Sequence, residues 1–248
     1  MSLPLKFVSH RIEEYALQVT YDPEEDRGHV IYNLSLLQEE DLESAMRIVR
    51  DVARAGLMVS DRVRLLVAGE KIGGFMIPAG QAGVCTICSL TLDGLLLRKG
   101  IPTRSIGGGI LEIEDWEPRR FIHLIQYEHT TIDPLQVLAS QDLTSILEVM
   151  QMGNGTILAN VREVHMEAEH AASQILDLLV ELGFMGVLEM GAPNIPLLGM
   201  PVSPHYLGIA MVGGTNPMAA MNEGGIKTTT LAMKGVIPVE ELPHLEEC

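Results

Sequence analysis

Basic residues are scarce in this chain, where 17 Lys and Arg stand against 33 Asp and Glu and give a formal net charge of −16. Affinity for DNA comes largely from basic side chains that neutralise phosphates, so this deficit argues against direct nucleic-acid contact. Cysteine is also scarce: Cys85, Cys88 and Cys248 are too few for a disulfide framework and fit a reducing compartment. No apolar run is long enough to span a bilayer and no signal peptide is recognisable, so we expect a cytoplasmic protein without a membrane partner.

The motifs of several enzyme classes are missing as well. The sequence has no P-loop, no G-x-G-x-x-G at a helix start, no nucleophile elbow and no clear acid–base pair, which predicts a protein that is not an enzyme and needs no cofactor. Cys85 and Cys88 form a C-x-x-C inside the apolar run VCTICSL. Because side chains alternate along a strand, these two thiols should face opposite ways, so we expect two small core residues and no bound metal.

What the chain does contain is an internal duplication. Residues 28–58 align without a gap on residues 155–185, and residues 83–103 align on residues 208–228. Both copies of the second stretch end in Gly-Ile-x-Thr. The glycines at turns and helix ends match between the copies, and the helix and strand signals occur in the same order, which strengthens the alignment. The identical pairs in the first stretch are Gly28/Gly155, Asn33/Asn160, Glu40/Glu167, Ala45/Ala172, Ile48/Ile175, Gly56/Gly183 and Met58/Met185.

Each copy carries the signals for strand, helix, strand, strand, helix and strand, in that order. This order predicts an α+β fold made of two tandem ferredoxin-like (βαββαβ) pseudo-repeats packed as one unit; a mixed α/β sheet is the alternative. We predict a first half at residues 1–114, with its repeat at about 28–113, and a connector at residues 115–147. The second half is predicted at residues 148–248, with its repeat at about 155–238.

The strand-to-helix junctions are the best candidates for a binding site. In the second copy an apolar strand ends in GGTNP, where Gly213 and Gly214 let backbone amides approach a ligand and Thr215 and Asn216 begin a helix. The partial positive charge of a helix start favours a carboxylate or a phosphate. The alternative is a tight turn that simply needs glycine. The matching junction of the first copy offers Cys88, Ser89 and Thr91.

The first strand of the second copy adds two polar side chains. Asn160 and Arg162 share one face of this strand, since side chains alternate with a period of two. An arginine there can grip a carboxylate with two hydrogen bonds. The alternative is a solvated arginine paired with a local acid.

The chain resembles the effector-binding regulatory domain of the archaeal NrpR family of nitrogen-regulatory repressors. The resemblance runs from about residue 10 to residue 241 and is carried by blocks such as YDPEEDRGHVIYNLSLL, GVCTICSLTLDGLLLRKGIPT, YEHTTIDPL, GNGTILANVREV, GAPNIPLLGMPV and GGTNPMAAMNEGGI. It implies a domain that senses 2-oxoglutarate and relieves repression of nitrogen-assimilation genes. The ligand-binding residues that it implies are Cys88, Ser89, Thr91, Asn160, Arg162, Gly213, Gly214, Thr215 and Asn216.

The two copies differ from each other at one junction, and the chain departs from the family pattern at its N-terminus. Asp93-Gly94 of the first copy is replaced by Met218-Ala219 in the second, so the two junctions are not expected to bind equivalently. Family repressors that touch DNA carry a winged helix ahead of this region, and none is recognisable here. With Met1-Ser2-Leu3 typical of an added tag, the chain is either a cloned fragment or a subunit, and we expect a homodimer or a pairing with a DNA-binding relative.

Two other function classes stay open at this stage. The first is an enzyme acting on a small carboxylate or phosphorylated metabolite in a cleft between the repeats, which predicts a titrating group with a shifted pKa beside the glycine loop. The second is a structural oligomer without a ligand. On the sensor hypothesis we expect Gly214→Val to block the ligand while leaving the fold largely intact, and Arg162→Ala to weaken binding by about 1.5–3 kcal/mol.

Overall fold

The computed structural model describes residues 5–247, so Met1-Ser2-Leu3 and Cys248 lie outside the described residues. Within this range all paired strands of the sheets run antiparallel. The strands are β1 (His29–Gln38), β2 (Val63–Leu66), β3 (Lys71–Ile72), β4 (Phe75–Met76), β5 (Gln81–Ile87), β6 (Thr103–Glu114), β7 (Glu117–Gln126), β8 (Gly155–His165), β9 (Val187–Met190), β10 (Tyr206–Val212) and β11 (Thr229–Pro238).

The helices cover the sheets and follow the apolar periodicity of the sequence. In the second helix the apolar residues Ala45, Val49 and Val52 are buried, and their spacing is that of one face of an amphipathic helix. Among the described residues no helix is long and apolar enough to cross a membrane. The helices are α1 (Val8–Ala16), α2 (Leu42–Arg54), α3 (Thr91–Arg98), α4 (Pro134–Leu138), α5 (Ile146–Met152), α6 (Glu169–Glu181) and α7 (Asn216–Glu223).

The two main sheets have the same strand order. One sheet runs β11-β1-β5-β2 and the other β7-β6-β8-β10-β9, with a small β3-β4 hairpin beside them. Apart from the added strand β7, each order is that of a ferredoxin-like unit, in which the last strand lies beside the first and the third lies between the first and the second. The α+β prediction is confirmed, and the duplication extends to the strand order.

The last strand of each copy is exchanged between the copies, which the sequence does not predict. β6, the last strand of the first copy, pairs with β8 of the second from Thr103 to Ile113. In return β11, the last strand of the second copy, pairs with β1 of the first from Thr229 to Pro238. Each sheet therefore contains strands from both copies, and one continuous core joins them.

The connector contributes two elements to this arrangement. β7 pairs with β6 and extends the larger sheet at its edge. The helix α4 begins at Pro134, where the Asp133 carboxylate accepts hydrogen bonds from the backbone N–H groups of Leu135 and Gln136 and caps the helix. This short helix packs on β6 and β11, which come from different copies.

Candidate functional site

The two strand-to-helix junctions meet at the centre of the molecule. One joins β5 to α3 and the other joins β10 to α7. They pack so closely that a Cβ atom added to Gly214 would lie 2.8 Å from the carbonyl oxygen of Ile87 and 3.2 Å from the Cα of Cys88. Glycine at this position is thus required by contact between the two junctions. The expectation that Gly214→Val leaves the fold intact is wrong for the same reason.

Equivalent residues tie each junction to the first strand of its own copy. The hydroxyl of Thr91 contacts the backbone N–H and C=O of Ile31 at 3.1 and 3.3 Å. The side chain of Asn216, at the same position of the second copy, binds the backbone N–H and C=O of Leu158 at 2.8 and 3.1 Å. These predicted ligand-binding side chains therefore have a structural partner already.

Two asparagines link the copies to each other. Asn160 of β8 donates to the hydroxyl of Ser89 at 2.5 Å. Asn33, at the same position of β1, lies against Gly214, since its Nδ2 is 2.8 Å from the Cβ that any other residue would add there. A small buried cavity between the copies, which we call the seam, is thus lined by five of the sequence-predicted residues: Cys88, Ser89, Asn160, Gly214 and Thr215.

A buried ion pair lies beside this seam. The Arg162 guanidinium, with a side chain only 1% exposed, has its Nε 3.2 Å from Oδ2 of Asp93, which is equally buried. Arg162 also donates to the side-chain oxygen of Asn160 at 2.7 Å. Asp93 in turn accepts hydrogen bonds from the hydroxyls of Thr103 and Ser105 at 2.7 and 2.8 Å. The alternative of a solvated Arg162 is wrong, because the group is enclosed and paired with an acid of the other copy.

This ion pair breaks the symmetry of the duplication. The position of Arg162 is taken by Ser35 in the first copy, and the position of Asp93 is taken by Met218 in the second. Ser35 forms a neutral hydrogen bond to the Thr230 hydroxyl at 2.9 Å. Only one of the two equivalent places therefore carries charge.

The seam is closed in this structure. The cavity between the junctions has a volume of about 10 Å³, which is about what one water molecule requires and too little for a dicarboxylate. Its walls include the hydroxyls of Tyr127 and Thr215, which are buried and lack a hydrogen-bond partner within residues 5–247.

Asp133 lines the same cavity, and burial raises the pKa of its carboxyl, although the two backbone hydrogen bonds that it accepts oppose the shift. A carboxyl with a raised folded-state pKa gives stability that is complete below its unfolded pKa and is lost as the pH rises through the folded pKa. We therefore expect Asp133→Asn, which retains the cap, to match the parent in acid and to have a higher free energy of unfolding at pH 8.

Urea denaturation from pH 4 to pH 8 measures this difference. Asp133→Ala is the control, since it removes the charge and the cap together and should cost about 1 kcal/mol at acid pH. A parent profile that runs parallel to that of Asp133→Asn across this range would contradict the prediction.

Asp93 also lines a cleft of about 690 Å³. Its volume is typical of small-molecule sites. Its charged residues are mainly acidic, and its one basic residue, Arg104, is 3.3 Å from Glu163 and lies over the Tyr206 ring. The cleft is lined by α1 and α3, by the first residues of β6, and by Gln126, Glu128, Glu163 and residues 200–203.

The cleft wall contains Asp93 of the ion pair and the two residues whose hydroxyls donate to it, Thr103 and Ser105. None of these three was predicted as a site residue from the sequence. The signal that points to Asp93 is a single acid in the first turn of the apolar helix TLDGLLLR, at a position where the other copy has methionine. Thr103 and Ser105 alternate at the start of β6, which places their hydroxyls on one face.

The two described cysteines belong to the core. Cys85 lies in β5 and Cys88 in the junction that follows, and burial raises the pKa of each thiol to about 12. Both thiols are therefore expected to be neutral at physiological pH. Within residues 5–247 no group of three or more His, Cys, Asp or Glu side chains is placed to hold a metal ion.

Comparison with known proteins identifies relatives over nearly the whole chain. The chain is 41% identical to the global nitrogen regulator NrpRI of Methanosarcina mazei over 239 residues, which is 96% of this chain and 73% of that protein. It is 31% identical to the global nitrogen regulator NrpR of Methanococcus maripaludis over 92% of this chain and 38% of that protein.

A solved structure and a family model agree with these relatives. The crystal structure of a nitrogen repressor-like protein from Methanococcus jannaschii superposes with a TM-score of 0.81 at 29% identity, covering 98% of this chain and 100% of that one. Residues 5–244 match the model described as NrpR regulatory domains NRD1 and 2. The chain therefore belongs to the NrpR family, as a pair of its regulatory domains.

Proposed function

We propose that this chain is the effector-sensing part of a nitrogen-responsive transcriptional repressor, and that a small dicarboxylate, 2-oxoglutarate, is its effector. The proposed regulator acts in the cytoplasm, and binding of the effector relieves repression. A net charge of −16 fits a chain that leaves DNA contact to another domain or to a partner subunit. The relatives, which are named global nitrogen regulators, support the regulatory role.

The observation that carries the proposal is the buried ion pair between Arg162 and Asp93. A dicarboxylate needs a fixed positive charge, and Arg162 is buried just behind the wall of a cleft that has room for a small molecule. The cleft itself repels an anion through Glu13, Glu128 and Glu163. We therefore infer that a ligand carboxylate takes the place of the Asp93 carboxylate on Arg162, within reach of the Thr103 and Ser105 hydroxyls.

Replacement of the Asp93 carboxylate by the ligand would connect binding to a change in the arrangement of the two copies. Asp93 belongs to α3 of the first copy and Arg162 to β8 of the second, so separating their side chains loosens a contact between the copies. Arg162 and Asp93 are both enclosed in this structure, so a ligand carboxylate that reaches Arg162 must bind preferentially to a more open arrangement. A ligand with different affinities for two arrangements shifts the population between them, which is what a sensor requires.

Isothermal titration calorimetry with 2-oxoglutarate tests the proposal on the parent and on Asp93→Asn. The substitution removes the competing carboxylate and its repulsion, so we expect at least about tenfold tighter binding, equivalent to about 1.4 kcal/mol. Glu240→Gln makes the same change of charge on an exposed residue of a 3₁₀ turn and should leave the affinity unchanged. Equal affinity of Asp93→Asn and the parent would mean that Arg162 does not receive the ligand.

The enzyme alternative is less well supported. Cys88, Tyr127 and Asp133 beside the glycine loop all have a raised pKa, but the cavity that they line has room for about one water molecule and no substrate. A reaction there would need an opening that exposes Asp133 as well. If the parent does not bind 2-oxoglutarate in the titration above, the sensor proposal loses its advantage over the enzyme and the structural oligomer.

A further inference from the structure

The hairpin between β6 and β7 presents the one tryptophan of the chain to solvent. Trp116 is 58% exposed, and Met152 at the end of α5 is 62% exposed. The hairpin lies against the end of α5, because the backbone N–H of Trp116 donates to the carbonyl of Gly153, the residue after Met152, at 2.8 Å. We use the name Trp116 surface for Trp116, Met152 and four acidic residues, which are Glu114, Asp115, Glu117 and Glu148.

The backbone of this turn is strained, and burial does not compensate for the strain. Asp115 and Trp116 have φ of 53° and 66°, a left-handed conformation that two-residue hairpin turns usually give to Asn-Gly. A tryptophan rarely adopts this conformation, and its ring gains little from burial because 58% of the residue stays exposed. The turn is nevertheless held in place, because the Asp115 N–H donates to the side chain of Asn154 at 3.1 Å.

The indole ring is also fixed in orientation. A Cβ atom added to Gly153 would overlap the Nε1, Cδ1 and Cε2 atoms of Trp116, so the ring lies directly on the backbone of this glycine. Gly153 itself has a φ of 70° and ends α5 in the left-handed conformation. Trp116 is therefore a rigid, exposed aromatic side chain, the type that most often anchors a protein–protein contact with little loss of entropy.

Charge decides which partner fits this surface. Glu114, Asp115 and Glu117 flank the ring on the hairpin, and Glu148 lies one helical turn before Met152 on the exposed side of α5. Arg119 pairs with Glu114 at 3.1 Å, which leaves an excess of negative charge around an apolar centre. Complementary potentials steer association, and a guanidinium or ammonium group stacks favourably on an indole face.

We propose that the Trp116 surface docks a basic amphipathic helix of a partner protein. A Lys or Arg of the partner lies over the indole and among the acidic residues, and an apolar side chain of the partner covers Met152. The partner is a different protein, because a second copy of this strongly acidic chain would bring like charges together. The surface adds an interaction that is independent of effector binding in the cleft.

Trp116 is the only tryptophan, so its fluorescence reports directly on this surface. The probe is a synthetic amphipathic helix of Leu with Lys and Arg, titrated into the whole chain, and its counterpart carries Glu in place of Lys and Arg. We expect the basic peptide to shift the emission to the blue with saturation and the acidic peptide to leave it unchanged. No change of emission with the basic peptide would overturn the proposal.

Matched double variants separate the surface from general attraction to an acidic protein. Glu148→Gln with Met152→Ala removes one acid and one exposed apolar side chain from the Trp116 surface and is expected to weaken peptide binding at least tenfold. Asp177→Asn with Val180→Ala makes the same kind of change on the exposed side of α6, where Val180 is 58% exposed, and should change binding less than twofold.

Two further results would contradict the proposal. Equal losses in the two double variants would mean that the peptide responds only to net charge. Self-association of the chain alone in sedimentation velocity, abolished by the Glu148→Gln with Met152→Ala variant, would mean that a second copy occupies the surface. Circular dichroism on each variant confirms that the fold is retained, since all four substituted side chains are exposed.

Discussion

Arg162→Met is expected to lower the free energy of unfolding by about 3–5 kcal/mol and to abolish binding of 2-oxoglutarate. The substitution leaves the Asp93 carboxylate enclosed without its counter-charge, with only the Thr103 and Ser105 hydroxyls to hold it. It also removes a donor from Asn160, which binds across the seam to Ser89. Urea denaturation measures the first effect, and calorimetric titration under conditions where the variant is folded measures the second.

The duplication supplies a control for this prediction. Arg162→Ser combined with Asp93→Met installs the two residues that the chain itself carries at the equivalent places, Ser35 and Met218. Removing both charges eliminates the uncompensated one, so the double variant should be more stable than Arg162→Met alone while still failing to bind. A single variant as stable as the parent, or a double variant less stable than the single one, would show that the pair is not the source of the stability.

The order of the elements was predictable from the sequence, but the exchange of the last strands was not. The sequence predicts a strand at the end of each copy, and β6 and β11 are these strands. This prediction is equally satisfied by pairing with the first strand of either copy, because β1 and β8 derive from the same repeat. Which pairing forms depends on the path of the chain after α3 and α7, a non-local property on which periodicity has no bearing.

The same limit applies to the site. Alternation correctly places Asn160 and Arg162 on one face, and their side chains are hydrogen-bonded to each other at 2.7 Å. A glycine pair before a helix, however, has the same sequence whether the backbone approaches a ligand or another segment of the chain. At Gly214 the neighbour is the backbone of Ile87 and Cys88 in the opposite junction. Burial of this kind follows only from the contact between copies, so Asp93, the acid of the other copy, was missed as the partner of Arg162.

Gly214→Ala is the second substitution for which we expect a large loss, about 3 kcal/mol of the free energy of unfolding. The added methyl group would lie 2.8 Å from the Ile87 carbonyl oxygen and 2.8 Å from the Asn33 amide nitrogen, well inside van der Waals contact. One neighbour is backbone at the end of β5 and the other is a buried side chain of β1, so relief requires the two junctions to move apart. Thermal and urea denaturation of the parent and the variant measure the loss.

Gly224→Ala is the matched control, because it makes the same chemical change at the other end of the same helix, α7. Gly224 has a φ of −76°, which any residue adopts, and the closest atom to an added Cβ is the flexible Cδ1 of Ile48 at 3.0 Å. We expect this variant to differ from the parent by less than about 1 kcal/mol. If Gly214→Ala were equally harmless, the junctions would have to separate at little cost. The close contact between the junctions would then not explain why this position is glycine.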